Sequence, residues 1–184
     1  MEKTQEIIKS TDLISDLRYQ ISNQIGAKSL LACIQCGICS SSCTVSEYID
    51  LQPHRVVACL LLGLKDKILN SNAIWYCSLC HRCTERCPKN VDYSFILALL
   101  RNMAVKEGNM PPEYEITINN LLEHGFTVPY AGMMKKSIDR NREKFNLPEI
   151  VTPNLEEIEF IVKETGLKKI LEDAKKGKKK EVKT

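Results

Sequence analysis

Eight of the nine cysteines in this 184-residue chain fall into two runs with identical spacing. Each run has the form Cys-x2-Cys-x2-Cys-x3-Cys, and the second is followed directly by Pro88. Thiolates three residues apart on a tight loop reach different irons of one cubane, so this spacing is typical of iron–sulfur proteins. The pattern therefore predicts two [4Fe–4S] clusters. The runs are Cys33, Cys36, Cys39, Cys43 and Cys77, Cys80, Cys83, Cys87.

The fourth cysteine of each run is expected to bind the cluster of the other run. It stands where the chain already leaves the loop, and its thiolate points away from the first three. The predicted ligand sets are Cys33, Cys36, Cys39 and Cys87 for the first cluster, and Cys77, Cys80, Cys83 and Cys43 for the second. Such crossing joins the two halves of the site and keeps the clusters close enough for electrons to pass between them.

Other roles fit the cysteines less well. A structural zinc site needs two CxxC pairs. Each run contains one cysteine more than such a pattern uses, and its spacing does not match that of the pairs. Residues 1–6 contain no apolar signal core, so a cytoplasmic location is expected, where thiols stay reduced and disulfides are rare. The ninth cysteine, Cys59, lies in an apolar stretch and is expected to be a small buried side chain.

Charge and hydropathy exclude several further classes. The net charge is +3, but residues 175–184 alone hold six lysines and one glutamate, so the remainder is slightly acidic and no nucleic-acid partner is expected. The longest uncharged apolar stretch, residues 56–64, is far shorter than the roughly 20 residues that cross a bilayer, so no membrane association is predicted. No phosphate-binding glycine loop or nucleophile elbow is present, and no catalytic residue is assigned.

The residues around the two runs differ in charge. The second run is set among basic side chains, namely His81, Arg82, Arg86 and Lys89, whereas the first is set among neutral ones. Positive charge near a cluster favours its reduced, more negative state. This suggests that the second cluster is the easier to reduce. The alternative, that these side chains face water or an acidic partner, stays open.

Apolar residues recur mainly at helical spacing, which predicts an all-α fold. Pro53 and Gly63 fit the start and end of a helix between the runs, and Gly108 and Gly125 fit two later helix ends. Helices are expected over residues 4–24, 53–62, 65–70, 93–106, 112–124, 134–145, 155–164 and 167–176. The predicted organisation is an N-terminal helix at 1–28, a two-cluster domain at 29–108, a helical C-terminal extension at 109–174 and a Lys-rich tail at 175–184.

The two runs, Pro88 and the helical spacer between the runs resemble the α-helical ferredoxin domain of succinate dehydrogenase, fumarate reductase and related enzymes. The resemblance covers about residues 30–105. No further cysteine precedes Cys33, unlike in the iron–sulfur protein of succinate dehydrogenase, and no Cys-Cys pair occurs, unlike in the glycerol-3-phosphate and glycolate families. The length and the helical flanks most resemble the HdrC family of heterodisulfide reductase from methanogenic archaea.

This resemblance implies an electron-transfer subunit of a soluble heterodisulfide reductase complex, itself non-catalytic within an oxidoreductase. In that family a bifurcating flavoprotein, HdrA, with FAD and iron–sulfur clusters, supplies electrons. HdrB, with Cys-Cys-Gly modules, reduces the coenzyme M–coenzyme B heterodisulfide in methanogenesis, and a hydrogenase or formate dehydrogenase stands upstream. Two alternatives stay open. One is a relay for another soluble oxidoreductase, of the sulfur-oxidising or 2-hydroxyacid/glycerol-3-phosphate dehydrogenase type; the other is a zinc-stabilised interaction module.

Overall fold

The computed structural model describes residues 9–10 and 13–173, and that part of the chain contains helices and loops without a β-strand. The predicted all-α class is therefore confirmed. The helices in chain order are α1 (Leu17–Ser22), a 3₁₀ helix (Lys28–Ala32), α2 (Ile38–Ser41), α3 (Pro53–Leu62), α4 (Lys65–Leu69), α5 (Ala73–Tyr76), α6 (Arg82–Glu85), α7 (Tyr93–Lys106), α8 (Pro112–His124), α9 (Gly132–Lys144) and α10 (Leu155–Glu164). A further helix, α11, includes the described residues 167–173.

Local sequence signals set the ends of the longer helices. Pro53 occupies the first turn of α3, where its missing N–H has no intrahelical partner to lose, and Gly63 ends that helix with φ of +82°. A Cβ on Gly63 would lie 2.3 Å from the carbonyl oxygen of Ile14, whose N–H donates to the Gly63 carbonyl at 2.9 Å. The close approach of these two backbones therefore requires glycine.

The start of α10 has a capping pair, Asn154 and Glu157, whose spacing of three residues resembles that of a capping box. The side-chain oxygen of Asn154 accepts a hydrogen bond from the Glu156 N–H at 3.0 Å. The Glu157 carboxylate accepts from the Asn154 side-chain amide at 3.1 Å, whereas a capping box would use the backbone N–H. The first turn of α10 is thus fixed by two side-chain contacts.

Two predicted segments differ from the structure. The helix expected over residues 4–24 is limited to Leu17–Ser22 among the described residues, because residues 13–14 have no regular structure and residues 15–16 form a turn. Residues 1–8, 11–12 and the Lys-rich tail lie outside the described residues. The helix expected from residue 134 begins earlier, at Gly132.

The chain divides into two compact units, residues 1–104 and 105–184. In the first unit, α3 and α7 supply much of the buried core, including Val56, Leu60, Ile96 and Leu100. Cys59 belongs to this core and is only 8% exposed, which confirms it as a buried side chain. The second unit has a small core of its own around Met110 and Leu171. No helix among the described residues is long and apolar enough to cross a membrane.

Candidate metal centre

The two cysteine runs adopt the same backbone course. In each loop, the second and fourth residues after the first cysteine have positive φ: Gln35 (57°) and Gly37 (78°) in the first loop, and Leu79 (52°) and His81 (58°) in the second. A one-turn helix follows each loop, α2 in one case and α6 in the other, and it carries the third cysteine. The repeated spacing in the sequence is thus a repeated structure.

This backbone course suits an anionic group. Left-handed residues that alternate with ordinary ones turn successive N–H groups to one side and form a concavity of the kind found at phosphate and iron–sulfur sites. For a residue with a Cβ, the left-handed conformation costs about 1–2 kcal/mol. Gln35, Leu79 and His81 all adopt it. Strained backbone conformations persist only where the surrounding structure fixes them, and they cluster at functional sites.

One cavity brings together the cysteines predicted for the first cluster. Its lining includes Cys33, Cys36, Cys39 and Cys87, with no aspartate or glutamate among the lining residues. Cys83, predicted for the second cluster, also borders this cavity. No three His, Cys, Asp or Glu side chains in the described part of the chain converge closely enough to enclose a single metal ion. The cavity lined by the four predicted thiols is the observation that fits a cubane, which binds each thiolate at a separate iron.

The end of the first run lies beside the second run. The Thr44 hydroxyl is 3.8 Å from the sulfur of Cys80, and Cys43 is close enough to Cys77 to contribute electrostatically to the raised pKa of that thiol. The one-turn helices α2 and α6 are also in contact. The structure thus places Cys43 near the second loop and Cys87 near the first, as the crossed ligand sets require.

Several N–H groups point at cysteine sulfurs. The Gln35 side-chain amide donates to the Cys33 sulfur at 3.3 Å, and the Val91 N–H donates to the Cys87 sulfur at 3.3 Å. The backbone N–H of Arg82, together with the Thr44 hydroxyl, lowers the pKa of Cys80. Each of these bonds favours a thiolate, which is the form that binds iron.

For other candidate ligands, burial disfavours the thiolate form. It raises the pKa of the Cys39 and Cys77 thiols, and it raises the pKa of Cys83 to about 11. These thiols hold their protons at neutral pH unless a metal replaces them. Cluster binding at this site must therefore release protons, and the energy of iron–sulfur bonding must exceed the cost of deprotonation.

Each cysteine loop is anchored to the first turn of the long helix that follows it. In the first loop, the Ser40 hydroxyl accepts from the His54 N–H at 3.0 Å and lies 2.6 Å from His54 Nδ1. In the second loop, the Thr84 hydroxyl donates to the Asp92 carboxylate at 3.1 Å. Ser40 and Thr84 both directly follow the third cysteine of their run. The anchors therefore hold equivalent points of the two loops to α3 and α7.

Asp92 is the centre of the second anchor. Besides Thr84, its carboxylate accepts from the Ser94 hydroxyl at 2.7 Å and from the Phe95 N–H at 3.1 Å. Ser94 in turn lies 2.9 Å from Nδ1 of His81. Burial acts to raise the pKa of Asp92, but these hydrogen bonds outweigh it and the pKa is lowered. Asp92 is thus an ionised cap that connects α7 to the loop.

Sequence reasoning misses most of these supporting residues. It predicts surface or capping roles for His54 and His81; His81 is indeed exposed at the N-cap of α6, and the serine contacts of both side chains are an additional feature. Tyr93 is 5% exposed and lines the cavity with the cysteines. Arg101, in α7, donates to three backbone carbonyls at the start of the second run. The sequence signal that indicates a helix cap here is Asp92 itself, directly before the apolar segment of α7.

Comparison with known proteins gives one domain family and several relatives. The 4Fe-4S dicluster domain matches residues 29–91, which include all eight cysteines of the two runs. A CoB–CoM heterodisulfide reductase iron–sulfur subunit of Methanocaldococcus jannaschii, the one designated C 2, is 35% identical over 150 residues, which cover 78% of each chain.

Two further relatives align with a similar or larger share of this chain and of their own length. The C2 subunit of the H2/formate:CoB-CoM heterodisulfide,ferredoxin reductase of Methanococcus maripaludis is 30% identical over 89% of this chain and 90% of its own. The C subunit of the ferredoxin/F420H2-dependent CoB-CoM heterodisulfide reductase of Methanosarcina acetivorans is 33% identical over 79% of this chain and 86% of its own. These relatives and the cysteine geometry agree on iron–sulfur chemistry.

Proposed function

Because the chain belongs to the HdrC family of heterodisulfide reductase iron–sulfur proteins, we propose that it is the electron-transfer subunit of a heterodisulfide reductase complex. The observation that carries this proposal is the pair of equivalent cysteine loops with left-handed residues at matching positions. When bound, a [4Fe–4S] cluster supplies one-electron transfer. We propose two such clusters, held by Cys33, Cys36, Cys39 and Cys87 and by Cys77, Cys80, Cys83 and Cys43.

The chain's own residues hold and insulate these sites. Gln35, Thr44 and Val91 direct hydrogen bonds at the sulfurs of cysteines in both loops. Tyr93 and Val57 form the apolar inner wall of the cavity and keep water from its inner side. Cys36 and Cys80 are exposed. Each loop therefore presents one ligand at the surface, where a partner could approach, while the remaining ligands lie deeper.

The partners we propose are the other two heterodisulfide reductase proteins: HdrA, a flavoprotein that supplies electrons, and HdrB, whose Cys-Cys-Gly modules reduce the coenzyme M–coenzyme B heterodisulfide. A hydrogenase or formate dehydrogenase would stand upstream, in keeping with the H2 and formate named for the Methanococcus relative. We place the complex in the cytoplasm, where thiols stay reduced. The domain organisation proposed for this role is a cluster domain at residues 29–108, preceded by a helix and followed by a helical extension.

The first test is the iron and acid-labile sulfide content of anaerobically purified full-length protein, with EPR of the dithionite-reduced form. We expect about eight iron and eight sulfide per chain and the spin-coupled signals of two adjacent cubanes. About two zinc without sulfide would contradict the proposal and favour a zinc-stabilised interaction module.

A second measurement addresses the partners. Affinity purification from anaerobic extract should recover a flavoprotein and a protein with Cys-Cys-Gly modules. Electrons from that flavoprotein should then reduce the iron–sulfur clusters of this chain in a stopped-flow assay. Recovery of a sulfur-oxidising or 2-hydroxyacid dehydrogenase instead would keep the relay function and reject the heterodisulfide pathway.

A further inference from the structure

Arg101 connects the long helix α7 to the first cysteine of the second run. Its guanidinium donates to the carbonyls of Ile74, of Trp75 at 3.3 Å and of Cys77 at 2.6 Å. Ile74 and Trp75 belong to α5, and Cys77 is the residue that ends it. Three hydrogen bonds from one planar group fix the position of the Cys77 backbone relative to α7. Arg101 is therefore part of the support for the second cysteine loop.

These bonds orient the guanidinium without cancelling its charge, because backbone carbonyls are neutral. The side chain is half-buried, so water and salt screen its charge less than that of an exposed group. Its charge acts on the Cys77 thiol in the direction that favours the thiolate. The basic residues that the sequence associates with the second run, His81, Arg82, Arg86 and Lys89, are all exposed instead, and of these only Arg82 contributes, weakly, to the shift of a ligand thiol, that of Cys80. The positive electrostatic field at the second loop is thus better assigned to the half-buried Arg101 than to the exposed basic residues.

A cubane with four thiolate ligands is anionic, and one-electron reduction adds a further negative charge without a proton. A fixed positive charge nearby stabilises the reduced form more than the oxidised form. We propose that Arg101 is a positioning residue that holds the Cys77 loop against α7, and that its charge makes the cluster of this loop easier to reduce. This inference rests on the proposed function, since it requires a cluster at Cys77, Cys80 and Cys83.

The test compares three variants of the full-length, cluster-loaded protein by EPR-monitored potentiometric titration. Arg101→Lys keeps the charge, Arg101→Gln keeps hydrogen-bond donors without the charge, and Arg101→Met removes both. A Cys80→Ser variant identifies the signal of the second cluster, because serine ligation alters that signal. Arg18→Met is the matched control, since Arg18 also donates to a carbonyl near a helix end, that of Leu61, but contacts no cysteine carbonyl.

We expect the reduced-to-oxidised ratio of the second cluster at a fixed potential to fall about tenfold in Arg101→Gln and Arg101→Met, which equals about 59 mV for a one-electron couple. The first cluster should shift less, and Arg101→Lys and Arg18→Met should titrate like the wild type. Unchanged midpoints in Arg101→Gln would overturn the proposal. So would cluster loss from all three Arg101 variants, which would mean that Arg101 acts through folding alone.

Failure of this inference and failure of the proposed function have different signatures. If the wild-type protein holds two clusters but the variants leave both midpoints unchanged, only the role of Arg101 is rejected. If the wild-type protein holds no iron and sulfide, the proposed function is rejected as well. The titration therefore begins with the metal and sulfide content of every sample.

Discussion

At the scale of residues, the identity of the fourth ligand decides how the two halves of the site are joined. Cys43 belongs to the first run in sequence, yet Thr44 beside it reaches Cys80 of the second. Cys87 belongs to the second run, yet it lines the cavity with Cys33 and Cys36. The spacing rule for two-cluster proteins and the local contacts therefore both favour crossed ligation.

Single substitutions should separate the two ligand sets. We expect Cys43→Ala to disrupt the cluster of the second loop and Cys87→Ala that of the first, because each removes one of four bonds to a cubane. Each variant should lose about half of the iron or convert one cluster to a three-iron form, as measured by iron content and EPR. Cys59→Ala is the control, since Cys59 is buried in the apolar core and its removal should leave iron content unchanged. If Cys43→Ala altered the first cluster instead, ligation would be uncrossed.

The cysteine positions are predictable from the sequence, but their environment is not. Spacing alone identifies the runs, since no other common site uses four cysteines in this register. Gln35 and Leu79 give no sequence signal for left-handed backbone, because residues of their types rarely adopt it. Arg101 lies towards the end of the mainly apolar helix α7, and a charged residue in such a helix is usually interpreted as solvent-facing. Its three carbonyl contacts depend on how α5 and α7 pack, which one-dimensional patterns do not contain.

At the scale of elements, helix prediction from the sequence succeeds for helices long enough to contain several repeats of the 3.6-residue apolar period. The bounds of α3, α7, α8 and α10 agree with the sequence prediction. The one-turn helices α2, α5 and α6 escape it, because four residues are too few for a 3.6-residue period to appear. Their formation depends on the loops and on tertiary contacts. Among the described residues the N-terminal helix is limited to Leu17–Ser22, and the N–H of Ile14 before it donates to the Gly63 carbonyl instead of to a helical partner.

Asp92, at the start of α7, has two structural roles. Its carboxylate caps the helix by accepting from the Phe95 N–H, and it holds the second cysteine loop by accepting from the Thr84 hydroxyl. We expect Asp92→Ala to lower the free energy of unfolding by about 1–2 kcal/mol, as for other lost N-caps, and to speed cluster loss in air. Thermal unfolding of the holoprotein measures the first effect and the decay of visible absorbance the second. Asp66→Ala is the control, because Asp66 lies exposed in the first turn of α4.

The pH dependence of this effect follows from the sign of the pKa shift. The pKa of Asp92 lies below its ordinary value of 3.8, so its ionised form is favoured in the folded state. Its contribution is complete above the unfolded pKa and is lost only as the pH falls through the folded pKa. The stability difference between wild type and Asp92→Ala should therefore persist between about pH 5 and pH 8. A difference that disappears within this interval would mean that the carboxylate is not the cap.

At the scale of the whole molecule, the cluster site and the C-terminal part have separate cores. All eight cysteines of the runs and every residue of the larger core lie within residues 1–104. The second unit has a much smaller core, around Met110 and Leu171. Its helices α8 and α9 contain no fully buried residue. Cluster binding and the C-terminal extension should therefore be separable.

A chain that ends at Gly108 tests this separation. It keeps α7 complete to Lys106, together with Arg101 and the buried residues that α7 adds to the larger core. We expect it to bind about eight iron and eight sulfide with the EPR signals and midpoints of the full-length protein. A chain that ends at residue 92 is the control, because it keeps all nine cysteines but lacks α7, and it should lose the clusters with its core. Cluster loss from the longer truncation would show that residues 109–184 are needed to complete the fold of the site.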